Sequence, residues 1–314
     1  MGTRYVGLGK EDTYGDMVVA DRWAEAVASM KPDQGFIIPK PVASRADRKR
    51  NLGPYRARGN IGDFPVEPEN IIGELLYGVF GGHAVTNPYA GVYLHTFSPA
   101  DTIPSYTEHL GVELKERLIG GALIESLTVK FAHDNDILAN AEVFSGFTES
   151  NTTIQTPTIS PLQALNMQNA SSVLTIATVS KRSLISDLEI SIKNNIPFNK
   201  GSLADREFST KRIGKRDVTG KLTAYFDDTT EYDRFLAGTE FTLIITALGP
   251  LIASTYRYQL GFELRKCAYT GGTPDVKAQD ELLVIDAPFK ALYDTTGGFN
   301  AEGKATLQNG IATY

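Results

Sequence analysis

Between Asp187 and Lys193 polar and apolar residues alternate without a break, Asp-Leu-Glu-Ile-Ser-Ile-Lys. The pattern returns further on, with Val218, Gly220, Leu222, Ala224 and Phe226 on one side and Thr219, Lys221, Thr223 and Tyr225 on the other. Successive side chains of an extended chain leave on opposite faces, so this period describes a half-buried antiparallel ribbon. A polar, basic excursion from Asn194 to Arg216 joins its two arms. Directly afterwards Asp228-Thr229-Thr230-Glu231 has the spacing of a helix capping box. Tyr232, Phe235 and Leu236 then recur at helical spacing, Gly238 supplies the stop, and a third strand spans Phe241 to Leu248. The whole stretch from Ser183 to Leu248 therefore predicts a sheet with one helix laid on it.

Glycine and proline are frequent, at 29 and 15 of 314 residues, which suits a β-dominated chain long enough to bury a sizeable core. The only cysteine, Cys267, has no partner for a disulfide or a thiolate metal site and is expected to be a small buried apolar residue. The opening residues, Met1 to Tyr5, lack an apolar signal core, and no run approaches the ~18 residues that span a bilayer. The expectation is a protein made in a reducing cytoplasm, without membrane insertion. A net charge of −6 argues against a surface that grips nucleic acid throughout.

Along the chain, Asp21 would cap a short helix carrying Trp23, Val27 and Met30 on one face. From Pro39 to Gly62 the chain is basic, with Arg45, Arg48, Arg50, Arg56 and Arg58 against the lone acid Asp47. With Tyr55 as its only stacking residue, this segment fits an inter-subunit or solvated arm better than a nucleic-acid arm. Residues 67–80 predict a second helix, with Ile71, Ile72, Leu75, Leu76, Val79 and Phe80 inward and Glu69 and Glu74 outward. Gly81 to Pro104 is rich in turn formers and holds His83 and His95. Residues 123–131 and 137–147 read as a hairpin about the turn His133–Asp136, Val173 to Val179 as a strand, and Tyr256 to Arg265 as the cleanest alternation of all. Glu281 to Tyr293 is extended, with Pro288 marking an edge or a bulge. Ala305 to Asn309 closes the chain as a short strand.

No set of residues converges on catalysis. The four histidines form no metal-ligand pair in sequence, His133–Asp136 lacks the glycine and glutamate of a calcium loop, and no G-x-S-x-G elbow is present. Gly214–Lys221 has five residues between its glycines instead of four, and Leu222 stands where a phosphate loop needs Ser or Thr. The reading is therefore a non-enzyme with no cofactor and no metal. Charge is nevertheless segregated: Lys193, Arg206, Lys211, Arg212, Lys215, Arg216 and Lys221 precede Asp227, Asp228, Glu231, Asp233 and Glu240. Separate positive and negative faces suit head-to-tail contacts between copies, and open ribbon edges invite completion by a neighbour.

Several segments resemble bacteriophage tail tube proteins of the long, non-contractile type. They are Leu8–Gly15, the 67–80 helix with Leu75-Leu76, Asp217–Thr223 with the acidic turn and helix after it, Asp280–Val284, Pro288–Asp294, and Ala305–Asn309. The resemblance implies a single tube domain over 1–314, with 1–60 as an N-terminal arm and 294–314 as a C-terminal segment. It implies a mainly β subunit, a sandwich or half-barrel of antiparallel strands with one helix on its flank and short helices near the N-terminus. It further implies hexameric rings stacked into a hollow conduit in the virion tail, through which double-stranded DNA passes without specific binding. Tape-measure, tail-terminator and baseplate or tip proteins would be its partners. Asp187, Glu189, Ser191, Lys193, Thr219, Lys221, Thr223 and Tyr225 would line the channel. Arg45, Arg48, Arg50, Arg206, Lys211, Arg212, Lys215 and Arg216 would contact neighbouring subunits or rings. The rival readings are another phage structural protein (a capsid decoration or tail terminator), a type VI secretion inner tube, and a carbohydrate-binding or hydrolytic β-protein, for which the lone Trp23 is a poor platform.

Overall fold

Wherever the sequence alternates, the chain pairs with itself. A computed structural model describes residues 4–33, 35–37, 51–147, 149–197, 213–272 and 283–314. The N-terminal part contributes β1 (Arg4–Lys10), β2 (Arg22–Ala24), β3 (Ala28–Asp33), β4 (Phe36–Ile37), β5 (Asn51–Leu52) and β6 (Arg56–Pro65), followed by helix α1 (Ile72–Phe80). Next come β7 (Gly81–Tyr89), β8 (Val92–Pro99), β9 (Tyr106–Val112), β10 (Lys115–Ala132), β11 (Leu138–Ser145), β12 (Ser150–Thr152), β13 (Val173–Ile176) and β14 (Val179–Ser180). The last part holds β15 (Ile185–Lys193), β16 (Asp217–Tyr225), helix α2 (Thr230–Ala237), β17 (Phe241–Ala253), β18 (Tyr256–Tyr269), β19 (Val284–Ala291) and β20 (Lys304–Asn309).

Apart from the small β4–β5 pair, these strands form one large antiparallel sheet that curls around its core like a barrel, and the protein is mainly β. Its ladders branch: the main run is β3–β6–β11–β10–β15–β16–β19–β18–β17–β13–β14. From β18 a branch runs through β20 and β8 to β7, and from the first half of β10 another runs through β9 and β1 to β2. One apolar cluster, from Val6 to Tyr314, fills the interior. The long strand β10 bends at Gly121, whose φ of 61° suits glycine and where a Cβ would overlap Phe147.

Four local expectations change. The segment carrying Trp23 and Met30 is β2 and β3, not a helix: Trp23 pairs with Gly7 and packs edge-on against Tyr5, while Val27 is 82% exposed, so the three residues share no face. The 67–80 helix starts at Ile72, where Asn70 accepts the Ile72 N–H (2.9 Å). Its expected outer face is absent, because Glu74 is as buried as Leu75; a helix apolar nearly all round belongs inside a core. The turn-rich 81–104 region is the β7–β8 hairpin, which joins the sheet through β20. Pro288 lies in an inner strand, opposite Lys221 of β16 and beyond the last rung with β18, and its carbonyl accepts the Thr270 N–H (2.8 Å).

Candidate assembly surface

The paired arms of the ribbon are β15 and β16, in register with Glu189 opposite Lys221 and Ser191 opposite Thr219. Leu188, Ile190, Ile192, Val218, Leu222 and Ala224 enter the core. The alternate residues Asp187, Glu189, Ser191, Lys193, Thr219, Lys221, Thr223 and Tyr225 stand on the outer side, exposed or half-buried. Gly220 breaks the apolar series because a Cβ there would overlap the Phe289 ring and the Glu189 carbonyl.

This outer side continues across the neighbouring strands. On β10 and β11 it carries Thr128, Lys130, Asn140 and Glu142, on β6 Arg58 and Asp63, and on β19 Asp286 and Lys290. Nearly every cation on it has a carboxylate: Lys130–Asp63 (3.0 Å), Arg58–Glu142 (3.1 Å), Lys221–Asp286 (2.8 Å) and Lys290–Asp217 (2.7 Å). Bonds from Asn140 and Lys130 hold the Asp63 carboxyl below its usual range, and the bond from Lys290 does the same for Asp217. The result is a broad polar face with its charges interleaved and four of its cations paired.

The excursion is anchored where it leaves the ribbon. Asn194, fully buried, donates to the carbonyls of Val79 and Ile124 (3.1 Å each) and accepts from Arg216 Nε (3.2 Å). Arg216 then donates to the carbonyls of Phe80 and Ala100 (3.1 Å each). Val79 and Phe80 end α1, whose last carbonyls have no partner within the helix, so the stem of the excursion caps that helix with an amide and a cation. Burial lowers the Arg216 pKa from its ordinary value. Lys215 is exposed. Arg45, Arg48, Arg50, Arg206, Lys211 and Arg212 lie outside the described residues.

Helix α2 sits on the flank. Asp228 accepts the Thr230 N–H (2.8 Å) at its start and Gly238, at φ 61°, closes it. Glu231 does not complete a capping box: it turns inward to Lys181 (3.5 Å), Arg234 (3.4 Å) and the Tyr269 hydroxyl (2.8 Å). Leu236, expected on the packed face, is 64% exposed.

Several buried polar groups carry no periodic signal in the sequence. His109 and Glu116 are paired and fully buried, and Glu116 also accepts from the Tyr5 hydroxyl (2.6 Å) and from the Gln155 N–H (3.2 Å). Glu108 faces the core with both oxygens unpartnered, and burial pushes its pKa up to about 8. Glu74 is pushed up to about 7 for the same reason. His83 and His95 stack side by side, and His95 Nε2–H donates to the Ile311 carbonyl, so its Nδ1 accepts from His83. Burial pushes the Cys267 thiol up to about 12. Among the described residues no three His, Cys, Asp or Glu side chains gather into a metal site, and no helix is long and apolar enough to cross a membrane.

Comparison with curated proteins gives no match. A family model described as phage tail tube protein matches residues 3–291, from β1 through β19. That span includes both arms of the ribbon, the helix on its flank and the strand that pairs beside it. The chain therefore belongs to the phage tail tube family, whose members are structural components of the virion tail.

Proposed function

We propose that copies of this chain close into rings of six, that the rings stack into a hollow tube, and that the tube conducts double-stranded DNA from the virion. The observation that carries this reading is the polar face built on β15 and β16, where cations and carboxylates alternate and pair. Double-stranded DNA carries one negative charge per about 1.7 Å of axis and adheres to surfaces that offer unpaired lysine and arginine. A wall whose cations already hold carboxylates gives phosphates little to displace, so DNA slides along it. In this reading Asp187, Glu189, Ser191, Lys193, Thr219, Lys221, Thr223 and Tyr225 line the channel, and Lys215 with the rest of the excursion reaches a neighbour. The whole chain acts as one tube domain, and tape-measure, terminator and tip proteins meet it at the tube ends. Negative-stain microscopy of the recombinant chain at high concentration tests the reading. Rings and stacked tubes are expected, and a monomer that never assembles contradicts it.

A further inference from the structure

In the first half of β10, Arg117 has a carboxylate on either hand. On one side β9 sets Leu110 directly opposite it, and on the other side β12 sets Asn151 there. Two residues before each of these comes a glutamate, Glu108 and Glu149. Diagonal neighbours of this kind lie about 7–8 Å apart, within reach of a long side chain. Arg117 uses one of the two. Its Nε donates to Glu149 (3.2 Å), and its Nη2 donates to Glu149 and to the Met30 carbonyl (3.0 Å). Glu108 is fully buried, and neither of its oxygens has a hydrogen-bond partner among the described residues.

The two carboxylates differ in what they can do without Arg117. Glu149 and Arg117 are each about a quarter exposed, so water takes the place of either partner when they separate. Glu108 has no water to turn to, and burial keeps it protonated up to about pH 8. The titratable and charged groups on its face of the sheet are Tyr106 of β9, Lys10 of β1 and Arg117 of β10, with Glu74 of α1 beyond the Tyr106 hydroxyl. Tyr106 already donates to the Glu74 carbonyl and Lys10 to the Tyr314 carbonyl. Arg117 is the group whose charge favours an ionised Glu108.

We propose that Arg117 is a proton-operated latch, which holds Glu149 while Glu108 is protonated and turns to Glu108 when that proton leaves. An uncompensated buried carboxylate costs more than parting a half-wet ion pair, so the guanidinium moves inward. The segment it releases runs from Glu149 through β12 to Gln155. Three rungs to β10 and the bonds from Gln155 N–H to Glu116 and Tyr5 then remain to hold it, with Ile154 resting on the cluster of Tyr5, Ala20 and Trp23. The latch belongs to the single chain and stands apart from the tube reading.

Hydrogen exchange of the full chain tests it, read by mass spectrometry on peptides spanning 149–155 between pH 6 and 9 and corrected for the intrinsic pH dependence of exchange. In the parent, protection should fall up to about fivefold, the scale of one partly exposed ion pair. Glu108→Gln keeps the shape and cannot ionise, so its protection should stay level. Glu149→Gln, at the surface, should show the parent's high-pH protection at every pH. A level parent refutes the latch, and so does either variant that loses protection with pH as the parent does. If Glu108→Gln does not fold, Glu149→Gln decides the matter alone.

Discussion

The two halves of β10 belong to one strand and face different surroundings. From Ser126 to Ala132 one side enters the core and the other joins the polar face, where Lys130 meets Asp63 in water. From Glu116 to Leu123 the residues of both sides are buried or half-buried. Ile119 packs inward with Leu8 and Leu110, while Tyr5, Trp23 and Ala20 seal the outer side over His109 and Glu116. The difference teaches where polar groups are indispensable. On the open side a charge exchanges a neighbour for water at little cost; on the covered side each polar atom has only its protein partner.

The sharpest way to break this comparison is to remove one charged side chain from each half. Glu116→Ala strips partners from buried His109 and Tyr5, and should cost about 3–5 kcal/mol in urea unfolding. At the open end Lys130→Ala should stay within about 0.5 kcal/mol. Equal effects would show that the halves do not differ as described. Arg216→Ala, which uncaps α1, should fall between them at about 1.5–3 kcal/mol, whereas Lys215→Ala should leave folding unchanged by the same assay.

The covered half also predicts a pH dependence. Glu108 has a folded pKa raised by burial to about 8, so the native state holds a proton that the unfolded chain has released above its ordinary pKa of about 4.5. Its contribution to stability is complete below that ordinary value and is lost as pH rises through the folded one. Relative to Glu108→Gln, the parent should lose up to about 1.4 kcal/mol per pH unit between pH 5 and 8. Parallel unfolding profiles would contradict the buried, protonated assignment.

The same contrast explains what was legible in the sequence. Strands with one wet face, such as β15, β16 and β18, alternate because water demands it, and they were readable from residues alone, although β18 runs on to Tyr269, past the alternation that ends at Arg265. In β9 Tyr106 to Gly111 are buried in succession, so Thr107, Glu108 and His109 break the pattern without ending the strand. Glu74 misled in the same way: helical spacing assigns it to the face away from Leu75 and Leu76, but the curled sheet leaves α1 no outer face. Trp23, Val27 and Met30 imitate a helical stripe because two short strands with a loop between them give the same spacing. The polar face was readable as two strands of alternating residues; its extension onto β6, β11 and β19 depends on pairings between segments far apart in the chain, which local pattern does not encode. The His83–His95 stack and the Asn194–Arg216 cap depend on such pairings too.

A cryo-EM reconstruction of tubes assembled from the recombinant chain tests the central claim most directly. The account predicts a closed wall in which Glu189 and Lys221 point into the channel and Leu188 and Leu222 point into the subunit core. Tubes whose channel is walled by other strands, with β15 and β16 turned outward, would contradict it.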